Sequence, residues 1–121
     1  MGDRILIVED EQRLRDILCD YFRAKGEEPV GLENGQQAIE WMEGYEADAV
    51  LLDILMPELD GFTVCRALRR HSSVPIMFLT ALSNEEEKLR GYELGADDYV
   101  TKPYSMAVLY ARTKALIARA R

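Results

Sequence analysis

Apolar residues along this chain fall into two alternating rhythms. Short, nearly continuous apolar runs stand at Arg4–Val8, Ala49–Leu52 and Pro75–Leu79, and more mixed ones at Glu28–Leu32 and Asp97–Val100. A short run without polar alternation suits a strand covered on both faces, because neither side meets water. Between the runs, apolar residues recur at helical spacing. Leu14, Ile17, Leu18, Tyr21 and Phe22 follow i, i+3, i+4, i+7, i+8, which predicts a first helix that buries one face and stops at Gly26. Asn34 is placed to cap a second helix carrying Ala38, Ile39 and Met42. Asp60 is placed to cap a third with Phe62, Cys65 and Leu68. Ser83 or Asn84 precedes Glu85, Glu86 and Glu87, acidic residues suited to a helix N-terminus. The last helix is predicted from about Ser105 towards Arg119, with basic residues at its end as the helix dipole favours.

Strict alternation of strand and helix gives a parallel sheet with helices on both faces, and right-handed crossovers leave few topologies. The predicted fold is α/β: a flavodoxin-like (βα)5 doubly wound parallel sheet, strand order 2-1-3-4-5, in a single domain over 1–121. No internal linker, repeat or low-complexity segment interrupts it. This order sets strands 1 and 3 side by side at the switch point, where open α/β sheets bind ligands. Four of the runs end in chemically useful residues. The first leads into Glu9 and Asp10, the third into Asp53, the fourth into Thr80, and the fifth through Thr101 into Lys102 and Pro103. If the strands are parallel, three carboxylates, a hydroxyl and an ammonium meet at one edge.

Charge narrows the partners. A formal net charge of −7 makes a poor DNA binder, because DNA affinity leans on neutralising phosphates. Any action on DNA needs a basic surface elsewhere. No apolar run approaches the roughly 20 residues of a membrane helix, and the start lacks the basic and apolar segments of a secretory signal, so a cytoplasmic protein without membrane contact is the expectation. Cys19 and Cys65 form no metal-spaced pair and read as reduced packing residues. His71, the single histidine, falls in a predicted loop and is given no role.

At the shared edge, Glu9, Asp10 and Asp53 contribute three negative charges against one positive charge from Lys102. Close carboxylates do not all stay ionised without compensation. A hard divalent cation supplies it, and Mg²⁺ typically binds one or two carboxylates, phosphate oxygens and several waters. An aspartate in such a place can be a nucleophile that forms an aspartyl-phosphate. Phosphoryl transfer asks mainly for positioning and neutralisation of the equatorial oxygens, tasks that suit Mg²⁺, Lys102 and Thr80. The acidic loop Glu9, Asp10, Glu11 repels bare phosphate and carries no Gly-rich cradle, which argues against an ordinary flavin or nucleotide site. Each residue also has a plainer use. Asp10 could simply cap the first helix, Asp53 could be an ordinary loop residue, and Thr80 and Lys102 say little alone. Their joint placement at four strand ends favours the chemical reading.

These residues, in this order, resemble the receiver domain of two-component response regulators. The matching segments are Ile-Val-Glu-Asp-Glu at 7–11, Leu-Leu-Asp-Ile-Leu-Met-Pro-Glu-Leu-Asp-Gly at 51–61, Phe-Leu-Thr-Ala at 78–81 and Gly-Ala-Asp-Asp-Tyr-Val-Thr-Lys-Pro-Tyr at 95–104. The resemblance implies that Asp53 accepts a phosphoryl group from the phosphohistidine of a sensor histidine kinase. It implies Mg²⁺ held by Asp10, Asp53 and the Leu55 backbone carbonyl, with Glu9 acting through water. Lys102 pairs with the phosphoryl group, Thr80 and the Ala81 amide draw in towards it, and Tyr99 turns from exposed to buried. The Lys102–Pro103 bond is expected to be cis. On this reading the chain is not a conventional enzyme, but it catalyses its own aspartyl phosphorylation and a slow autodephosphorylation. Leu55 and Leu82 flank the expected path of the attacking water and should lengthen the phosphoryl group's life.

The face formed by helix 4, strand 5 and helix 5 resembles that of OmpR/PhoB-type transcription factors. It implies a phosphorylation-favoured homodimer in which Asp97 meets Arg119, and Asp98 meets Arg112, across a two-fold axis. Lys88 fits a third pair whose usual acidic partner aligns with the uncharged Val108. DNA binding would then reside in a C-terminal winged-helix domain outside this sequence. Three competing readings remain: a stand-alone receiver that relays or drains phosphate, a phosphohydrolase (which usually needs a carboxylate where Leu55 stands), and a binding-only pseudo-receiver.

Overall fold

A computed structural model describes residues 2–121. Ten elements alternate without exception: β1 (Arg4–Val8), α1 (Gln12–Ala24), β2 (Glu28–Leu32), α2 (Gly35–Gly44), β3 (Ala49–Leu52), α3 (Gly61–Arg69), β4 (Ile76–Thr80), α4 (Glu85–Glu93), β5 (Asp98–Thr101) and α5 (Met106–Ala120). The sheet is parallel throughout, with order β2-β1-β3-β4-β5, as the alternation predicted.

The period-2 geometry of the strands divides the core in two. Leu6, Val8, Val50, Leu52, Ile76 and Phe78 face one way and pack with Ala38, Phe62, Val64, Cys65 and Leu68 from α2 and α3. Ile5, Ile7, Ala49, Leu51, Met77 and Leu79 face the other way and pack with Leu18 and Phe22 of α1 and Leu109, Leu116 and Ile117 of α5. Both faces of β1, β3 and β4 are therefore dry, which explains their unbroken apolar sequences. Burying each such side chain is worth about 1.5–3 kcal/mol. The edge strand β2 is only half covered, and its sequence accordingly admits Glu28, Pro29 and Gly31. Cys19 and Cys65 are free and buried, consistent with packing roles.

Side-chain caps set the helix starts. Asn34, Asp60, Asn84 and Ser105 accept hydrogen bonds from the backbone N–H groups of Gln37, Thr63, Glu87 and Val108. Of the two candidates before α4, Asn84 makes the cap. Gly26, with φ of 90°, takes the left-handed turn that ends α1. Two strands start one residue later than predicted. Pro75 has no N–H to give β4, although its carbonyl still accepts from Val50 N–H at 2.9 Å. Asp97 sits just ahead of β5, where its carboxylate takes the Ile76 N–H at 2.8 Å. At the other end both strands reach one residue further, and Thr80 pairs with Thr101.

Candidate functional site

The strand register brings the chain's chemistry to the C-terminal edge. Val8 lies opposite Leu52, so the next residues, Glu9 and Asp53, leave adjacent strands together. The Asp53 N–H donates to the Val8 carbonyl at 3.1 Å and fixes that junction. Beyond the paired Thr80 and Thr101, the Lys102 N–H donates to the Thr80 carbonyl at 2.8 Å. The Lys102–Pro103 peptide is cis, as expected.

The Asp53 carboxylate is buried and held at both oxygens. Oδ1 accepts from the Leu55 N–H at 3.1 Å, and Oδ2 accepts from the Lys102 ammonium at 3.2 Å. Lys102 also reaches Glu9 Oε1 at 3.4 Å, while Glu9 Oε2 accepts from the Glu11 N–H at 3.0 Å. Oxygens of Glu9, Asp10 and Asp53 all lie within 4.8 Å of one another. Asp10 is exposed, and α1 begins at Gln12 behind Glu11, which makes no side-chain cap. Glu9 is buried, and that burial, aided by the Asp53 charge, raises its carboxyl from 4.5 to about 7. Burial pulls the Lys102 ammonium downward, but Asp53 and Glu9 outweigh it and hold it above the ordinary lysine value.

This donor set fits a hard divalent cation. Three carboxylates converge, the exposed Asp10 opens the cluster to solvent, and the one ammonium cannot neutralise it. Acidic oxygens without softer ligands suit Mg²⁺ better than Zn²⁺. Gly61 matters to this geometry, a point that residue chemistry alone did not signal. A Cβ there would stand 2.4 Å from the Asp53 carbonyl oxygen, so only glycine lets α3 begin against the segment that carries Asp53.

The neighbouring residues form a connected second group. Thr80 is fully buried, and its Oγ1 accepts from the Leu82 N–H at 3.3 Å. Tyr99 is buried and donates its hydroxyl to the Leu82 carbonyl at 3.0 Å. Its ring packs edge-on against Phe78, which meets Phe62 in the same way, and Arg90 of α4 stacks on Phe62 at 4.4 Å. Gly91 lets α4 lie close, since a Cβ there would press on Phe78 and Tyr99 at 3.1 Å. Ala81 and Leu55 are exposed and Leu82 is half-buried.

Of the surface charges expected at a dimer interface, Asp97, Asp98, Arg112 and Arg119 have partners within the chain. Asp98 takes both Arg112 Nε and Nη2, at 2.9 and 2.6 Å. Asp97 pairs with Arg69 at 2.9 Å, a partner the sequence pattern did not suggest. Arg69 also donates to the carbonyls of Gly95 and Val74, tying α3 to the turns flanking β4 and β5. Arg119 reaches the Ala115 carbonyl, and Lys88 is half-buried on α4.

Residues 5–114 match the family model described as the response regulator receiver domain. The chain belongs to this family. Among curated proteins, it is 44% identical over 116 residues to the transcriptional regulatory protein BaeR of Escherichia coli, covering 96% of this chain and 48% of that protein. It is 47% identical over 115 residues to the sensory transduction protein RegX3 of Mycolicibacterium smegmatis, covering 95% of this chain and 50% of the relative. This receiver thus spans about half the length of these relatives. The receiver domain of the Francisella response regulator 1452 superposes with a TM-score of 0.94 at 28% identity, covering 99% of this chain and all of that one. The beryllofluoride-activated N-terminal receiver domain of Klebsiella pneumoniae RstA gives 0.90 at 34% identity, covering 95% and 98%. No helix among the described residues is long and apolar enough to cross a membrane.

Proposed function

We propose that this receiver takes a phosphoryl group from a sensor histidine kinase onto Asp53. The supporting observation is the convergence of Glu9, Asp10 and Asp53 within 4.8 Å, with Lys102 bound to the acceptor carboxylate. An Asp53 oxygen attacks the phosphorus, the new O–P bond forms, and the P–N bond to the donor imidazole breaks. The departing nitrogen keeps the electron pair. Lys102 neutralises charge on the phosphoryl oxygens, and Thr80 can give them its hydroxyl proton once it turns from Leu82.

Asp10, Asp53 and the Leu55 carbonyl would hold Mg²⁺, with Glu9 acting through water. The ion's contribution when bound is neutralisation of carboxylate and phosphoryl charge. The phosphoryl group's added charge then biases the Thr80, Ala81 and Tyr99 group. Tyr99 is already inward and bonded to Leu82, so movement of the Leu82 segment is the step through which Thr80 and Tyr99 sense each other.

For output, the α4–β5–α5 face would form the homodimer through Lys88, Asp97, Asp98, Arg112 and Arg119. Asp97 and Asp98 must first exchange their partners within the chain, Arg69 and Arg112, for groups across the two-fold axis. Transcriptional output is supported by BaeR, named as a transcriptional regulatory protein, and the half of its length that the receiver does not match leaves room for a C-terminal DNA-binding domain. Leu55 and Leu82 shield the acyl phosphate, so Leu82→Asn is expected to shorten its lifetime, and an unchanged decay rate would remove this role.

The deciding experiment is intact-mass analysis after incubation with phosphoramidate, with and without Mg²⁺, alongside Asp53→Ala. The expected result is a Mg²⁺-dependent gain of one phosphoryl group that the variant lacks. No gain under any condition would leave a binding-only domain. Sizing the phosphorylated sample tests the dimer.

A further inference from the structure

Among the described residues, the hydroxyl of Tyr104 is the buried side-chain polar atom without a hydrogen-bond partner. Its side chain is partly buried against the core cluster on the α1–α5 side of the sheet. Packing alone does not ask for that oxygen. A phenylalanine would fill the same space without burying an unpaired donor, and an unpaired buried hydroxyl costs more than it returns. Tyr110, on the same side of the sheet, satisfies its hydroxyl on Glu27. Tyr104 differs in its neighbourhood. It follows Lys102 by two residues in the loop from β5 to α5, at the edge that carries Asp53. Burial raises its hydroxyl's pKa, Lys102 lowers it, and the Glu9 and Asp53 charges raise it, so all three site groups act on this oxygen.

Lys102 supplies the complementary need. Its ammonium has three N–H donors, of which one goes to Asp53 and one to Glu9. When Glu9 turns towards a cation, the ammonium loses that acceptor. The Tyr104 hydroxyl, buried without a partner and carried two residues along the same loop, can accept in its place, directly or through one water, and adds no charge to the site.

We propose that Tyr104 is a positioning residue of the phosphoryl-transfer site, whose hydroxyl takes up the Lys102 N–H released by Glu9 and keeps the ammonium aimed at Asp53. The inference rests on Asp53 being the phosphoacceptor. It explains why a tyrosine hydroxyl is buried at a place where packing alone favours phenylalanine.

Tyr104→Phe tests it, because the variant keeps the ring and removes only the oxygen. Four quantities are measured on wild type and variant: Mg²⁺ affinity by calorimetry, beryllofluoride affinity at saturating Mg²⁺ by fluorine NMR, the phosphoramidate phosphorylation rate at saturating Mg²⁺, and the melting temperature. The expected result is unchanged Mg²⁺ affinity and unchanged or raised melting temperature, with beryllofluoride affinity and rate each falling about 3- to 10-fold, the size of one hydrogen bond. A purely structural tyrosine would not separate the cation from the anion in this way. Unchanged beryllofluoride affinity and rate, beside a reactive wild type, would overturn the role of Tyr104 and leave Asp53 as the acceptor. A parallel fall in Mg²⁺ affinity and melting temperature would equally overturn it, as a packing effect. A wild type that takes no phosphoryl group would overturn the acceptor reading and this inference with it.

Discussion

The two edges of the sheet both gather carboxylates around basic groups, and they do opposite things with them. At the C-terminal edge, Glu9, Asp10 and Asp53 share one ammonium, Lys102. At the N-terminal edge, Asp3, Glu27 and Asp48 are met by Lys114, Arg121, the Tyr110 hydroxyl and backbone N–H groups. There Asp3 lies below the ordinary aspartate value, chiefly because Lys114 hydrogen-bonds to it. Burial pushes Glu27 up, but Tyr110, the Asp3 N–H and Lys114 together bring it below the ordinary glutamate value. Glu9 moves the other way, to about 7. Residue type does not separate the two clusters. The supply of donors does, and the edge left short of positive charge is the one whose oxygens fit a hard divalent cation.

The largest effect should come from the backbone packed against Asp53. Gly61→Ala forces a methyl group towards the Asp53 carbonyl and should cost about 3 kcal/mol in urea unfolding, the upper range for overpacking. A cost under about 1 kcal/mol would show that the loop after Asp53 yields, and that this edge is less rigid than the contact implies.

Next is pH, where the two edges should slope oppositely. Glu9 has a raised folded pKa, so its contribution is fully present below 4.5 and is lost as the pH rises towards about 7. The loss is on the order of 2 kcal/mol, allowing for solvent screening. Mg²⁺ should flatten this part of the profile by compensating the ionised carboxylate. Asp3 and Glu27 have lowered folded pKa values. Their contribution is present above the ordinary values of 3.8 and 4.5 and is lost as the pH falls through the folded values. Urea midpoints from pH 3 to 8, with and without Mg²⁺, check both slopes. A Mg²⁺ effect below pH 4 as large as that at pH 7 would contradict the assignment.

Smaller still, Glu27→Gln should cost about 1–2 kcal/mol, because it leaves Lys114 and the Asp3 N–H imperfectly matched in a buried place. Its phosphorylation rate should stay at the wild-type value, since the two edges are chemically separate. Arg112→Ala should cost less than about 1 kcal/mol in the monomer, as its partner contact lies at the exposed surface. A larger loss of dimer after phosphorylation would assign Arg112 to the interface rather than to the fold.

The strand order and the membership of the site were legible in the sequence for a physical reason. Strands buried on both faces must be apolar throughout, so the first polar residue after each marks the sheet edge. Glu9, Asp53 and Thr80 follow from that rule, Lys102 lies one residue beyond Thr101, and the caps at Asn34, Asp60 and Ser105 follow from local backbone chemistry. Which residues satisfy one another across the fold did not follow. The Arg69 clamp on Asp97 joins residues 28 apart, and the Lys114 pair with Asp3 joins residues 111 apart. Gly61 and Tyr104 carry their meaning in what lies beside them: a carbonyl oxygen that leaves no room for a Cβ, and a hydroxyl left without a partner. Hydrophobic periodicity and local capping act within a few residues, so the sequence alone determined the architecture and which residues meet at the C-terminal edge. Steric clearance and donor–acceptor matching depend on distances between remote segments, and only the tertiary structure decided those.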